Sequence, residues 1–286
     1  MEACDFKSLV KEKFDARTTY DEGDERHPKL AAELVQRAQL QKGWKVLDLA
    51  CGTGLVTYMA SEVVGSDGFV EGVDISPTMI RQAASKLEAS SCSNVSFQVG
   101  DLEKCSFTKH SFDAVLCSSA IFYVDMKSFG VTVHSWLKPG GILAYNSLQE
   151  PYTPLLPLMS RLLAKRGFTD YHPDKPLSQT HSEEANANTL QLAGFESVQV
   201  DKTTGLLFER PMQLSEYATK GYDLVATGFR PFFPILDTMT EEDQAQLQSE
   251  FYAEASLLGR SMFNTKRLVE DKHYDLWVTA KAMHAN

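Results

Sequence analysis

Apolar and polar positions alternate between two periods along the first half of the chain. After Pro28, Leu30, Leu34 and Ala38, with Ala31 and Val35 beside them, predict a helix over residues 29–41 that Gly43 closes. Residues 46–49 form a short apolar block and predict a buried strand. A turn at Gly52 and Gly54 follows, and Leu55, Met59 and Val63 then recur at i, i+4 and i+8, as on a second helix. Residues 68–75 predict a second strand ending in Asp74. Ser76 and Pro77 are a strong helix start, an N-cap followed by proline at the first helical position, and Met79, Ile80, Ala83, Ala84 and Leu87 supply the apolar face. A third strand over 94–99 ends in Gly100-Asp101-Leu102, and a fourth over 112–118 runs into a loop at 119–123. Asp125 caps a helix to Trp136, Lys138-Pro139-Gly140-Gly141 is a turn, and 142–146 is a fifth strand. Five strands alternating with helices require right-handed crossovers and a parallel sheet.

After residue 150 the rhythm changes. A helix over 155–165 stops at Gly167, 168–179 is loop-like with Pro173 and Pro176, and Ser182 starts a helix that Gly194 ends. Residues 195–208 predict a long strand. Residues 211–270 form an insertion of two helices around 228–234. The second opens at Thr240, with Asp243 as a weaker stand-in for the glutamate of a capping box, and buries Leu247, Phe251 and Leu258. Residues 274–281 close the chain as a last strand. This divides the chain into a core, 1–208 plus 271–286, and a helical cap, 209–270, to which 151–180 contribute.

Composition narrows the function. The 286 residues are 43% hydrophobic, ample for a core, and the formal net charge of −10 argues against a broad basic surface for nucleic acid. The five cysteines, Cys4, Cys51, Cys92, Cys105 and Cys117, form no CxxC pair or Cys/His ladder, so reduced thiols and no metal are expected. The first residues are too polar for a signal peptide, and no apolar run approaches the ~20 residues of a membrane helix. The expectation is a soluble cytoplasmic protein, monomer or homodimer, with no nucleic-acid or membrane partner.

The chemistry-bearing positions lie at the ends of the strands. Gly52 and Gly54 permit a tight turn and a close backbone approach, having no Cβ. The helix start behind them offers free N–H groups to a polar or negatively charged ligand, and Asp48 points a carboxylate at the same place. By itself the turn is a GxGxx pattern lacking the last small residue of a dinucleotide fingerprint. Asp74 can accept from both ribose hydroxyls, as in NAD enzymes and other nucleoside binders, or serve as an ordinary helix-leading acid.

Taken together, Asp48, Ala50-Cys51-Gly52-Thr53-Gly54, Asp74, Gly100-Asp101-Leu102 and the Leu137-Lys138-Pro139-Gly140-Gly141 turn resemble the class I S-adenosylmethionine-dependent methyltransferases of small-molecule type. Leu192-Ala193-Gly194-Phe195 and the closing Asp275-Leu276-Trp277-Val278-Thr279-Ala280-Lys281 extend the likeness, which covers about residues 14–208 and 274–282. The resemblance implies an α/β fold, doubly wound around a mostly parallel seven-stranded sheet, with the helical cap inserted before the last strand. It implies S-adenosylmethionine as cofactor, its methionine half cradled by Asp48, Ala50, Gly52, Thr53 and Gly54. Asp74 would hold the ribose, Ile75 pack on adenine with Met79 in the helix behind it, and Asp101 accept from the adenine amino group beside Leu102. Ser118 would face the transferred methyl, and Tyr20 would close over the methionine end. Many members have glycine where this chain has Ala50, which implies a less extreme turn. Cys51 is expected to fill space beneath the loop rather than act as a nucleophile.

The sulfonium cofactor carries its own leaving group, so a base is needed only if the acceptor must lose a proton. Tyr123, as a hydrogen-bond donor to substrate, and His172 and His181, as bases near the cap, are the catalytic candidates. His27 is a further candidate, while His134, among apolar helix residues, reads as structural. The cap aromatics Phe208, Tyr217, Tyr222, Phe229, Phe232, Phe233 and Phe251, with Met212, suggest an apolar or aromatic small-molecule acceptor. A protein or RNA methyltransferase, a nicotinamide-dependent oxidoreductase and a non-catalytic cofactor-binding scaffold are the alternatives.

Overall fold

Strand β1 (Lys45–Leu49) lies inside the sheet, parallel both to β2 (Phe69–Asp74) and to β4 (Phe112–Cys117). In this computed structural model, which describes residues 6–18, 26–88, 92–148, 153–168, 180–206 and 210–283, one sheet has the order β3-β2-β1-β4-β5-β7-β6. The other members are β3 (Val95–Val99), β5 (Leu137–Leu148), β6 (Phe195–Leu206) and β7 (Lys272–Ala282), and β7 runs antiparallel to β5. The chain moves outward from β1 to β3 and then returns to β4. The strand order therefore reverses between β1 and β4, where open α/β sheets form a ligand crevice at the strands' carboxyl ends.

Both faces of the sheet are covered, which is why its strands read as continuous apolar runs. On one face Val46, Val70, Ala114, Leu116 and Ala144 pack with Leu30, Leu34 and Ala38 of α2 (Arg26–Ala38) and with Val56, Ala60 and Val64 of α3 (Leu55–Val64). On the other, Leu47, Leu49, Val73, Val115 and Tyr145 pack with Phe129, Val133 and Trp136 of α5 (Met126–Trp136) and Leu190 of α7 (Glu183–Leu192). Between them in sequence stand α4 (Pro77–Glu88) and α6 (Leu155–Ala164).

Three local expectations shift. Helix α2 begins and ends three residues before its expected bounds, because Pro28 sits within the first turn and Gln39 takes φ 48 directly after Ala38. Helix α3 buries Val56, Thr57, Ala60, Ser61 and Val64, one position round from the Leu55-Met59-Val63 stripe, and Val63 is 41% exposed. The expected turn at 138–141 is a bulge inside β5. Phe112 and Ala114 of β4 face Leu137 and Ile142, so the extra residues loop out and Gly140 takes φ 77.

The chain divides into two compact units, one of Phe14–Leu148, Pro176–Thr203 and Asp275–Asn286, the other of Met1–Lys13, Gln149–Lys175 and Thr204–Tyr274. The first contains the glycine turn and the strand ends; the second is the cap. Beside the expected 209–270 and most of the contributing 151–180, helix α1 (Phe6–Asp15) up to Lys13 groups with it. Phe6 meets Phe232 edge-on with ring centroids 5.2 Å apart, and the Lys13 ammonium donates to the Gly228 carbonyl.

Within the cap, α9 (Glu241–Ser261) packs with both α6 and α8 (Leu214–Asp223). The Arg166 guanidinium donates to both Glu250 oxygens at 3.1 and 2.8 Å. Thr240 caps α9 by accepting from the Asp243 N–H, and its hydroxyl donates to the Asp243 carboxylate at 2.7 Å. The acid thus serves the cap's own side chain rather than the reciprocal backbone bond of a capping box. Of the cap residues expected to line an acceptor pocket, Met212, Tyr217, Phe229, Phe232, Phe233 and Phe251 are buried and Tyr222 is half-buried. Phe208 lies outside the described residues.

Candidate active site

The turn after β1 is built from left-handed backbone. Ala50 has φ 52, Gly52 φ 55 and Gly54 φ 87. At Gly52 a Cβ would meet nothing, so only the dihedral asks for glycine; at Gly54 a Cβ would also lie 2.9 Å from Tyr58 Cε2 and 3.0 Å from Phe97 Cζ. The expectation of a relaxed turn at Ala50 is corrected: the residue enters the left-handed region although it carries a Cβ. The turn is tied down by Cys51 N–H donating to the Val73 carbonyl (3.0 Å), Gly54 N–H to the Cys51 carbonyl (2.9 Å) and Lys86 Nζ to the Thr53 carbonyl (2.9 Å).

Asp48 sits one residue before the end of β1, fully buried, on the α3 side of the sheet. The Thr57 hydroxyl donates to its Oδ2 at 2.6 Å, and this bond turns Thr57 inward and sets the face that α3 buries. Its Oδ1 has no hydrogen-bond partner among the described residues. Burial, followed by the nearby Asp74 charge, raises its pKa from 3.8 to about 7, against the lowering effect of Thr57. Cys51 is buried and its thiol is pushed well up, by burial first and then by the charges of Asp48 and Asp74. That suits a space-filling role, as does the 3.0 Å gap between its sulfur and the place a Cβ on Gly72 would occupy.

Asp74 ends β2 and ties two loops together. Gly52 N–H donates to its Oδ2 and Ser76 N–H to its Oδ1, both at 2.9 Å. Burial raises its pKa while those two N–H groups lower it. Ser76 is the N-cap of α4 as expected, its hydroxyl accepting from Met79 N–H at 3.1 Å. Met79 is buried and Ile75 half-buried. Gly100 N–H donates to the Asp74 carbonyl at 2.9 Å, which brings Asp101 to the next position along the edge. There Asp101 Oδ1 accepts from Glu103 N–H at 3.1 Å, and Leu102 is buried in the core.

Beyond β4 the backbone turns again at Ser119 (φ 56), held by a residue the sequence did not single out. Asn146, buried near the end of β5, accepts through Oδ1 from Ser119 N–H (2.9 Å) and the Ser118 hydroxyl (3.3 Å), and donates through Nδ2 to Ser119 Oγ (3.2 Å). Its signal was the polar pair Asn146-Ser147 directly after the run Ile142-Leu143-Ala144-Tyr145. Tyr123 closes a single 3₁₀ turn and meets Phe14 edge-on at 6.2 Å. His181 precedes α7 in a turn fixed at the β5 end, where Ser147 Oγ donates to the Thr180 carbonyl at 2.6 Å.

A cleft behind the glycine turn is lined by His27, Ala31, Asp48, Ala50, Cys51, Gly52, Thr53, Leu55, Val56 and Ser118. It gathers Asp48, Ala50, Gly52, Thr53 and Ser118 from the expected set. Gly54 follows in the same turn and Asp74 is joined to Gly52, while Ile75, Met79, Asp101 and Leu102 are not among the residues that line it. Tyr123 and His181 do not line it, while His27 and Ala31, from the first turns of α2, do. Tyr20 and His172 lie outside the described residues. Among the described residues no group of three or more His, Cys, Asp and Glu side chains is placed to hold a metal ion, and no helix is long and apolar enough to cross a membrane.

Comparison with known proteins agrees with this arrangement. Residues 46–141 match a methyltransferase domain family. Aklanonic acid methyltransferase DauC of Streptomyces sp. (strain C5) is 34% identical over 170 residues, 55% of this chain and 77% of that one. Demethylmenaquinone methyltransferase of Geobacillus stearothermophilus is 29% identical over 193 residues, 63% of this chain and 82% of that one. Phosphoethanolamine N-methyltransferase 1 of Arabidopsis thaliana is 28% identical over 212 residues, 69% of this chain and 40% of that one. In fold, the chain is similar to a Haemonchus contortus phosphoethanolamine N-methyltransferase 2 in complex with S-adenosyl-L-methionine. The TM-score is 0.60 at 15% identity, with 99% of this chain and 61% of that one covered. With its reversal of strand order at β1/β4, its glycine turn and its likeness to DauC, the chain belongs to the class I S-adenosylmethionine-dependent methyltransferases.

Proposed function

We propose that this methyltransferase acts on a small, apolar or aromatic acceptor by in-line displacement. The observation that carries the reading is the likeness to DauC, a protein named for methylating aklanonic acid, over most of its length. The demethylmenaquinone methyltransferase likeness and the net charge of −10 support it. A phosphoethanolamine-type acceptor is the second reading, favoured by the Arabidopsis likeness alone.

The residues present fit the cofactor. Asp48 keeps a bare, buried carboxylate oxygen, as a site for an α-ammonium group needs. The φ +55 and +87 glycines let the backbone come close to a ligand. In this reading Ala50, Gly52, Thr53 and Gly54 cradle the methionine half with Asp48, and Asp74 accepts from the ribose hydroxyls. Asp101 accepts from the adenine amino group, Ile75, Met79 and Leu102 pack beside the base, and Ser118 lies toward the methyl. The cofactor supplies an activated methyl and its leaving group. The chain's own residues therefore orient the acceptor and exclude water. Tyr123 and His181 are offered as acceptor-side groups, with Tyr20 and His172 as further candidates from the segments not described.

Two measurements test this. Methyl transfer from labelled S-adenosylmethionine is assayed against a naphthoquinol, an aromatic polyketide acid, phosphoethanolamine, a peptide mixture and RNA. Turnover is expected on the first two, and turnover confined to peptide or RNA would overturn the acceptor reading. Asp74→Ala should weaken S-adenosylhomocysteine binding by about tenfold or more, through loss of buried hydrogen bonds. Unchanged affinity would remove Asp74 from the site.

A further inference from the structure

Asp74 is the end of a hydrogen-bonded chain that begins outside the sheet. Asp15 Oδ1 accepts from the Ser76 hydroxyl at 2.6 Å and lies 3.4 Å from the Thr78 N–H. Ser76, fully buried, uses its own N–H on Asp74 Oδ1 (2.9 Å), while Asp74 Oδ2 takes Gly52 N–H (2.9 Å). The order Asp15–Ser76–Asp74–Gly52 thus connects the start of the core unit with the glycine turn. Asp15 is itself held in place: the Arg17 carbonyl accepts from Gln82 Nε2 at 2.8 Å on the same helix, Arg17 N–H donates to the Phe14 carbonyl at 3.1 Å, and the Arg17 guanidinium lies 5.5 Å from the Phe14 ring centre.

Two carboxylates bridged by one serine repel each other, so their placement needs a reason. Part of it is the amino end of α4, whose aligned peptide dipoles favour negative charge and whose Thr78 N–H lies 3.4 Å from Asp15 Oδ1. The rest concerns the serine. A hydroxyl donates only once, and the Ser76 proton is committed to Asp15. It is therefore not available to Asp74, each of whose oxygens accepts one backbone N–H and keeps a lone pair. The Asp15 charge also makes Asp74 a stronger hydrogen-bond acceptor.

We propose that Asp15 is a positioning residue for the cofactor's ribose: by engaging the Ser76 hydroxyl it keeps the outer lone pairs of Asp74 open to a diol. The proposal rests on the reading of Asp74 as the ribose acceptor. It assigns Asp15 no contact with the cofactor; its effect passes through Ser76 and Asp74.

The test is a double-mutant cycle read as S-adenosylhomocysteine Kd by calorimetry, well below the melting temperature of every variant. Asp15→Ala should weaken binding about tenfold, and Asp15→Asn, whose amide oxygen still accepts from Ser76, should lose about threefold or less. In an Asp74→Asn background the Asp15→Ala effect should vanish, because coupled residues do not add. An Asp15→Ala loss of the same size in both backgrounds, or no loss in the wild type, would overturn the proposal. An Asp74→Asn variant that binds as the wild type does would instead defeat the ribose reading. The two failures are therefore distinct.

Discussion

The Thr57 hydroxyl donates to Asp48 Oδ2 at 2.6 Å inside the sheet's α3 face, while Oδ1 of the same carboxylate has no partner among the described residues. One oxygen is satisfied by the fold, and the other is buried without a hydrogen bond.

Asp48 makes stability depend on pH and, at the proposed cofactor site, affinity as well. Its pKa rises from 3.8 to about 7 on folding, so between those values folding takes up a proton. Stability from this group is greatest at low pH, falls as pH rises from about 4 to about 7, and is level above that. Asp48→Asn should therefore stabilise the protein by about 1–3 kcal/mol at about pH 8 and by little near about pH 4. Urea unfolding at the two pH values checks this. With the wild type, S-adenosylhomocysteine affinity should rise through about pH 7, as the ionised form pairs with the ligand's ammonium, and the variant should lose that rise.

Ala50 carries a cost the fold imposes. An L-residue in the left-handed region loses roughly 1 kcal/mol or more relative to glycine. Ala50→Gly should raise stability by about 0.5–1 kcal/mol without weakening cofactor binding, and Ala50→Val, β-branched at φ 52, should destabilise. Chemical denaturation of both variants, with one Kd measurement each, distinguishes the outcomes.

Asn146 holds the loop after β4 through Ser118 and Ser119. Asn146→Ala leaves the Ser119 N–H without its acceptor, at a cost of about 1–3 kcal/mol. If Ser118 lies toward the methyl, kcat should fall more than cofactor affinity does. An equal fall in both would place Asn146 on the cofactor side.

Asp271 in the cap accepts from the Tyr217 hydroxyl (2.8 Å) and the Thr153 hydroxyl (3.0 Å). Burial pushes its pKa up and the two donors pull it down. Tyr217→Phe removes a donor, so the pKa should rise further and the stability loss, about 1–2 kcal/mol, should grow with pH as the carboxylate ionises. Calorimetric melts near pH 5 and pH 8 give the comparison; a loss that shrinks with rising pH would contradict the assignment.

The strands and the α4 start were legible because their signals are local. The apolar blocks at 46–49, 68–75 and 112–118 appear as β1, β2 and β4 within a residue or so, and Ser76-Pro77 caps α4 as its chemistry demands. The glycine turn was legible for the same reason. Asn146 was not, because a polar residue in a strand has no local meaning until the neighbouring strand's loop is known.

By itself the sequence determined the alternation of strands and helices, the cofactor-type turn and the acids at or just past the ends of the first three strands. These depend on side-chain period and backbone preference over a few residues. Tertiary structure decided which face α3 buries, because Thr57 must reach Asp48. It also decided that Ala50 turns left-handed, that 138–141 is a bulge rather than a turn, and that α1 joins the cap. Above all it brought Asp15 to Ser76 and Asn146 to Ser119, 61 and 27 positions apart. Contacts at such separations are selected by how whole elements pack, and no short window of sequence encodes them.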